Sequence, residues 1–147
     1  MNARLASKMK MAKLQAEALL KSEGLLTGGR VDPIAIATSR DIVVQAKPDT
    51  HDGVSGMLVK VGDTFGILYA TYVPSTGFHR YSIAHELGHY FLAGHLDQVL
   101  KNGSHASYAG YVSGDPFELE ADAFASGLLM PSGPMKKICR TRDAGIE

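Results

Sequence analysis

The sequence predicts an α+β domain in which a small antiparallel sheet packs with helices. Three observations lead there. Apolar residues recur at helical spacing at the start of the chain and twice in its second half. Between residues 42 and 73 the pattern changes to short runs rich in Val, Ile, Leu, Phe and Tyr, broken by Gly and Asp. The 147 residues, 45% hydrophobic and 20% charged, suffice for one domain with one core and are too apolar for wholesale disorder.

The elements follow in order. Residues 2–22 are rich in Ala, Leu, Lys and Met, with Leu5, Met9, Met11, Leu14, Ala18 and Leu19 mainly at helical spacing and Gly24 as a stop. An amphipathic helix is expected, with the methionines as packing residues. Asp32 before Pro33 reads as an N-cap with proline at the first helical position, opening a short helix through Ala37. Strands are expected over 42–47, 54–61 and 65–73, the last two joined by a tight hairpin at Gly62-Asp63-Thr64. Residues 79–94 return to helical spacing, 101–114 read as a Gly, Ser and Asn-rich loop, and Asp115-Pro116 opens a helix ending near Pro131. The whole is read as a single domain over 1–147: an N-terminal helix within 1–24, a core over about 31–131, and a short tail over 132–147.

Composition excludes several classes of function. Fifteen Lys plus Arg balance fifteen Asp plus Glu, so the basic excess of a phosphate-binding surface is missing and no direct nucleic-acid binding is expected. Arg40, Arg80, Arg140 and Arg142 do not cluster into a phosphate site. Cys139 is the single cysteine, which rules out an internal disulfide and a thiolate zinc finger, and it reads as an incidental thiol. No apolar run approaches the roughly 18 residues of a membrane span. The basic start lacks a signal-peptide core because Lys8, Lys10 and Lys13 interrupt it, so a cytoplasmic protein without membrane association is expected.

Chemistry concentrates in His85-Glu86-Leu87-Gly88-His89, an H-E-x-x-H motif inside an expected helix. Residues four apart lie about 40° from one another around a helix and one turn along it, so both imidazoles leave one face. That spacing lets two neutral imidazole nitrogens share one zinc ion. Glu86 then stands beside the ion without binding it, placed to move a proton between an activated water and the leaving group. Gly88 lets another element approach the metal closely, and Ile83, Ala84, Leu87, Tyr90, Phe91 and Leu92 give the helix an apolar face.

A catalytic zinc site usually has three protein ligands and one open position. Two residues compete for the third place. His95 stands six after His89, the spacing of an extended H-E-x-x-H-x-x-G-x-x-H pattern, but Leu92 occupies its glycine position and Gly94 comes two residues late. Glu118 opens the next helix, with Asp122 one turn along the same face to accept the outer N–H of a ligating histidine. Spacing favours Glu118 and leaves His95 open. Glu120 is expected on the solvent side of that helix.

The run Tyr81-Ser82-Ile83-Ala84-His85-Glu86-Leu87-Gly88-His89, followed by Glu118-Leu119-Glu120-Ala121-Asp122-Ala123-Phe124-Ala125 and Leu128-Leu129-Met130-Pro131, resembles the ImmA/IrrE family of metallopeptidases. Residues 53–58 also resemble the family's upstream strand region, and the likeness covers about 31–131. Tyr81-Ser82 stands where Phe-Thr is commoner, and fewer residues follow Pro131 than in typical members. The resemblance implies a zincin-like fold, a Zn2+ cofactor, His85, His89 and Glu118 as ligands, and Glu86 as general base. It further implies a helix-turn-helix repressor as partner, cleaved by a zinc-dependent endopeptidase so that genes are derepressed. A toxin-like or regulatory partner that keeps the metal site and acts by binding alone is the alternative.

Two parts of the machinery stay open in the sequence. An oxyanion donor is sought among His79, His105, Tyr108 and Tyr111. The strand over 65–73 either forms a sheet edge able to hold an extended substrate or is paired on both sides.

Overall fold

A computed structural model of the chain describes residues 2–25, 29–50, 53–108 and 114–131. The expected tail over 132–147, with Cys139, Arg140 and Arg142, and also Tyr111, lies outside the described residues.

Helix α1 (Ala3–Ser22) starts at Asn2, whose side chain accepts from the Leu5 N–H. Helix α2 (Pro33–Ser39) starts at Asp32, which accepts from the Ile34 N–H, with Pro33 in the first turn as expected. Three strands follow: β1 (Val43–Lys47), β2 (Val54–Val61) and β3 (Thr64–Ala70). Helix α3 (Thr76–Phe91) begins three residues earlier than its apolar spacing suggests, because Ser75 caps it by accepting from the Phe78 N–H. A short α4 (His95–Val99), strand β4 (Ser104–Tyr108) and helix α5 (Pro116–Leu129) complete the described chain.

The α+β class holds, but the sheet is mixed instead of antiparallel. Its order is β1-β3-β2-β4, with β1 parallel to β3 and the other pairs antiparallel. Strands β1 and β2 run in opposite directions, as consecutive strands commonly do. Yet β3 inserts between them, because its two-residue hairpin at Gly62-Asp63 pairs it with β2 on one side and leaves its other side to β1. Strand β3 is therefore paired on both sides, which decides between the two readings left open for 65–73 in favour of the paired one. Strand β4 falls in the stretch read as loop. Among the described residues it pairs with β2 alone and forms an edge.

Helix α3 lies between the sheet and α5, and Ile83, Ala84 and Leu87 are buried there with Leu58, Ile67, Phe124 and Leu128. Helix α1 covers the other side of α5 through a different face from the one its large apolar residues suggest. Ala12, Ala16 and Leu20 are buried, whereas Met11 and Leu14 are exposed. The packing role expected for the methionines thus fails at Met11. Small residues point inward because the two helices touch backbone to backbone. A Cβ on Gly127 would lie 2.6 Å from the Lys13 carbonyl oxygen and 3.0 Å from its Cα.

Gly127→Ala must therefore separate α1 from α5. Overpacking of this kind costs about 1–3 kcal/mol, which outweighs the roughly 1 kcal/mol of helix propensity gained. A thermal melt is expected to show a lower midpoint; a raised midpoint would mean that α1 yields without cost.

Candidate metal centre

Helices α3 and α5 cross where neither has bulk to keep them apart. A Cβ on Gly88 would lie 3.1 Å from both the Cα and the carbonyl oxygen of Ala121, and 3.2 Å from the Phe124 Cβ. The bare glycine lets α5 seat close to α3, as the sequence anticipates for this position. That approach delivers Glu118, in the first turn of α5, to the two histidines of α3.

His85, His89 and Glu118 offer ligand atoms all within 4.8 Å of one another. Nε2 of His85 lies 3.2 Å from Glu118 Oε1, and Nε2 of His89 lies 2.9 Å from Glu118 Oε2. Both histidines are buried. The two inner nitrogens and the carboxylate thus converge, as the motif requires. His89 Nε2 is a buried atom without an aligned hydrogen-bond partner among the described residues. Two imidazoles and one carboxylate, with a buried nitrogen left over, are a donor set that fits a divalent ion such as zinc.

The outer nitrogens are also accounted for. His85 donates from Nδ1 to Asp122 Oδ1 at 2.8 Å, the role expected for Asp122. The same oxygen accepts from the Tyr81 hydroxyl at 2.8 Å, a contact not anticipated from sequence. On the far side of His89, the Nδ1 atoms of His89 and His95 are 3.0 Å apart. His95 therefore meets His89 opposite Nε2 and stands outside the convergent group of His85, His89 and Glu118. Gly94, with φ +82°, turns the chain into α4 and tucks His95 under the site.

Glu120 is corrected too. Its carboxylate is largely covered and stands 3.5 Å from His95 Nε2 instead of facing solvent. Its surroundings are the start of α1 and the turn at Leu92 and Ala93, with His95 beside it.

Glu86 is fully buried, and its carboxylate oxygens make no aligned hydrogen bond among the described residues, with the Ser107 hydroxyl of β4 the polar neighbour that favours its charge. Its space comes from β2: a Cβ on Gly56 would lie 3.1 Å from Glu86 Oε2. Burial raises its pKa above the ordinary carboxylate value. That shift lets this carboxyl keep its proton to a higher pH than an ordinary glutamate.

Strand β4 brings His105 and Ser107 to the site from one face. His105 donates from Nε2 to Glu118 Oε2 at 3.1 Å, and the Ser107 hydroxyl lies 3.5 Å from Glu118 Oε1. Of the oxyanion candidates, His105 alone among the described residues reaches the ligand set. His79 instead donates from Nε2 to the Val73 carbonyl at 2.8 Å near the start of α3, and Tyr108 is exposed. Ser107 was missed in the sequence, where a serine in a polar run carries no signal.

The metal-free charges are polarised. Burial works against a charge on His85, but hydrogen bonds to Asp122 and Glu118, with the nearby carboxylates, outweigh it and raise this imidazole to about 10. Burial lowers His89 to about 4. Burial also opposes ionisation of Glu118, yet the hydrogen bonds from His105 and His85 hold its carboxyl well below the usual range.

A pH dependence of metal binding follows. Below about pH 10 the metal-free His85 is charged and has no lone pair for an ion, so binding must expel its proton. Apparent zinc affinity is expected to fall about tenfold for each pH unit lowered between 6.5 and 5.5. Competition against a chromophoric chelator measures this, and a flat profile would refute it.

A helix-borne histidine pair, an acid from a second helix and a buried glutamate beside them define a metallopeptidase-like centre of the H-E-x-x-H class. The model of the Peptidase_M78 family, the IrrE N-terminal-like domain, matches residues 37–147. The chain belongs to that family. A search of curated proteins finds no match. Among the described residues, no helix is long and apolar enough to cross a membrane.

Proposed function

We propose that this protein is a zinc-dependent endopeptidase acting in the cytoplasm on a helix-turn-helix repressor, whose cleavage derepresses genes. One observation carries the enzymatic part: three ligand atoms converge within 4.8 Å next to a fully buried glutamate whose oxygens make no aligned hydrogen bond among the described residues. A purely structural site would have no use for a fully buried acid here, because burying a carboxylate costs several kcal/mol. The choice of substrate rests on the resemblance of the 81–89 and 118–131 motifs to the ImmA/IrrE peptidases.

His85, His89 and Glu118 would hold the ion, which would supply Lewis-acid chemistry for the scissile carbonyl and the attacking water. Glu86 takes the proton of the attacking water and returns it to the leaving amine. Its closed surroundings keep that proton from bulk solvent. His105, on the rim formed by β4, reaches the ligand set through Glu118, and it would serve as oxyanion donor once that Nε2–H is released from the Glu118 carboxylate. Strand β4, the sheet edge beside the site, takes the substrate-aligning role that β3 cannot, by pairing with an extended peptide.

The decisive experiment incubates the purified protein with the repressor encoded beside it, with zinc and with a chelator. Scission of one bond in the zinc sample alone is the expected result. An intact repressor under both conditions, with zinc bound, would remove the proteolytic reading.

A further inference from the structure

We propose that His95 and Glu120 form a relay that fixes the tautomer and ring orientation of His89, making both positioning residues of the metal centre. The inference rests on the metal-binding reading of His85, His89 and Glu118 and extends it to two residues outside the ligand set.

The reasoning follows the protons. Nε2 of His89 faces the ligand point, 2.9 Å from Glu118, so as a ligand it must present a lone pair there. The ring proton then resides on Nδ1, which is 3.0 Å from His95 Nδ1. To accept it, His95 must be neutral with its own proton on Nε2. That N–H faces Glu120 Oε1 at 3.5 Å. A carboxylate has only acceptors to offer, so the sequence of tautomers has one consistent solution. His85 reaches the same end by a shorter path, donating straight to Asp122. Both ligating imidazoles thus have an outer N–H that terminates in an acid of α5, directly for His85 and through one imidazole for His89.

The surroundings support a built device. His95 is 1% exposed, although an imidazole buried without hydrogen bonds would be costly. The Phe117 ring meets it edge-on at a centroid distance of 4.9 Å, which restricts its rotation. Gly94 adopts the left-handed backbone that brings the chain back under α3. An apolar residue would fill the same space at lower cost if packing were the only requirement.

The test is a cobalt and zinc titration of the full chain in four forms: unaltered, His95→Phe, His95→Asn and Glu120→Gln. His95→Phe keeps bulk but removes the acceptor, and metal affinity is expected to fall about 10–100-fold with an altered visible spectrum of the cobalt form. His95→Asn sets an amide oxygen near the former Nδ1 and is expected to recover most of the affinity and spectrum. Glu120→Gln is expected to show a smaller loss. If His95→Phe does not fold, the asparagine and glutamine variants still carry the test. Variants whose metal-free melting temperature changes while affinity and spectrum do not would overturn the relay and leave the metal centre intact. Absence of cobalt binding by the unaltered chain would overturn both.

Discussion

Glu86→Gln is expected to reduce peptide hydrolysis by about 10²–10⁴-fold while metal affinity stays nearly unchanged. The amide fills the same volume against Gly56, where a Cβ would stand only 3.1 Å from Glu86 Oε2, so the packing between α3 and β2 persists. What disappears is the ability to carry a proton between water and leaving group. Stability supplies a second readout. The carboxylate is fully buried and its pKa is raised by that burial, so an uncharged amide removes a desolvation penalty from the metal-free protein. The metal-free melting temperature is expected to hold or rise. Zinc titration, a cleavage assay and a thermal melt of the same sample check all three. Full activity in the variant would assign proton transfer to another group.

Glu118→Ala is expected to lower zinc affinity more than about 100-fold, beyond the range typical of outer-sphere partners. Glu118 is the point at which three imidazoles meet, since it lies within 3.2 Å of His85, His89 and His105. Without its negative charge the two ligand nitrogens remain, but no acid neutralises the incoming ion. The charge on His85 would also lose one of its two acid partners, leaving Asp122. The metal-free protein is therefore expected to lose stability as well, the opposite of the Glu86→Gln outcome. Unchanged zinc affinity would shift the third ligand elsewhere, with His105 the group within reach.

Much of the site could be read from residue order because helices are regular. The i, i+4 spacing of His85 and His89 fixes a common face, and the same spacing pairs Glu118 with Asp122 on α5. Gly88 stood out because a glycine inside an apolar helix needs a reason. What escaped detection depends on the third dimension. Strand β4 reads as loop because its side chains, Ser104 to Tyr108, serve the site and an edge instead of the core. His105 and Ser107 were hidden with it. The parallel pairing of β1 depends on which side of β3 the hairpin leaves free, which short-range pattern does not encode. Glu120 reads as solvent-facing because what surrounds it, the start of α1 and the turn at Leu92 and Ala93, is distant in sequence. On α1 the buried stripe is Ala12, Ala16 and Leu20, and the large exposed residues Met11 and Leu14 obscure it.

The contact between Lys13 and Gly127 bears on how the protein is prepared for study. The family match begins at residue 37, which would tempt an experimenter to clone from there. Such a piece would lack the helix that roofs α5, leaving the Gly127 side of α5 wet and the anchorage of Glu118 weakened. Expression boundaries drawn upstream of Ala3 keep that roof in place.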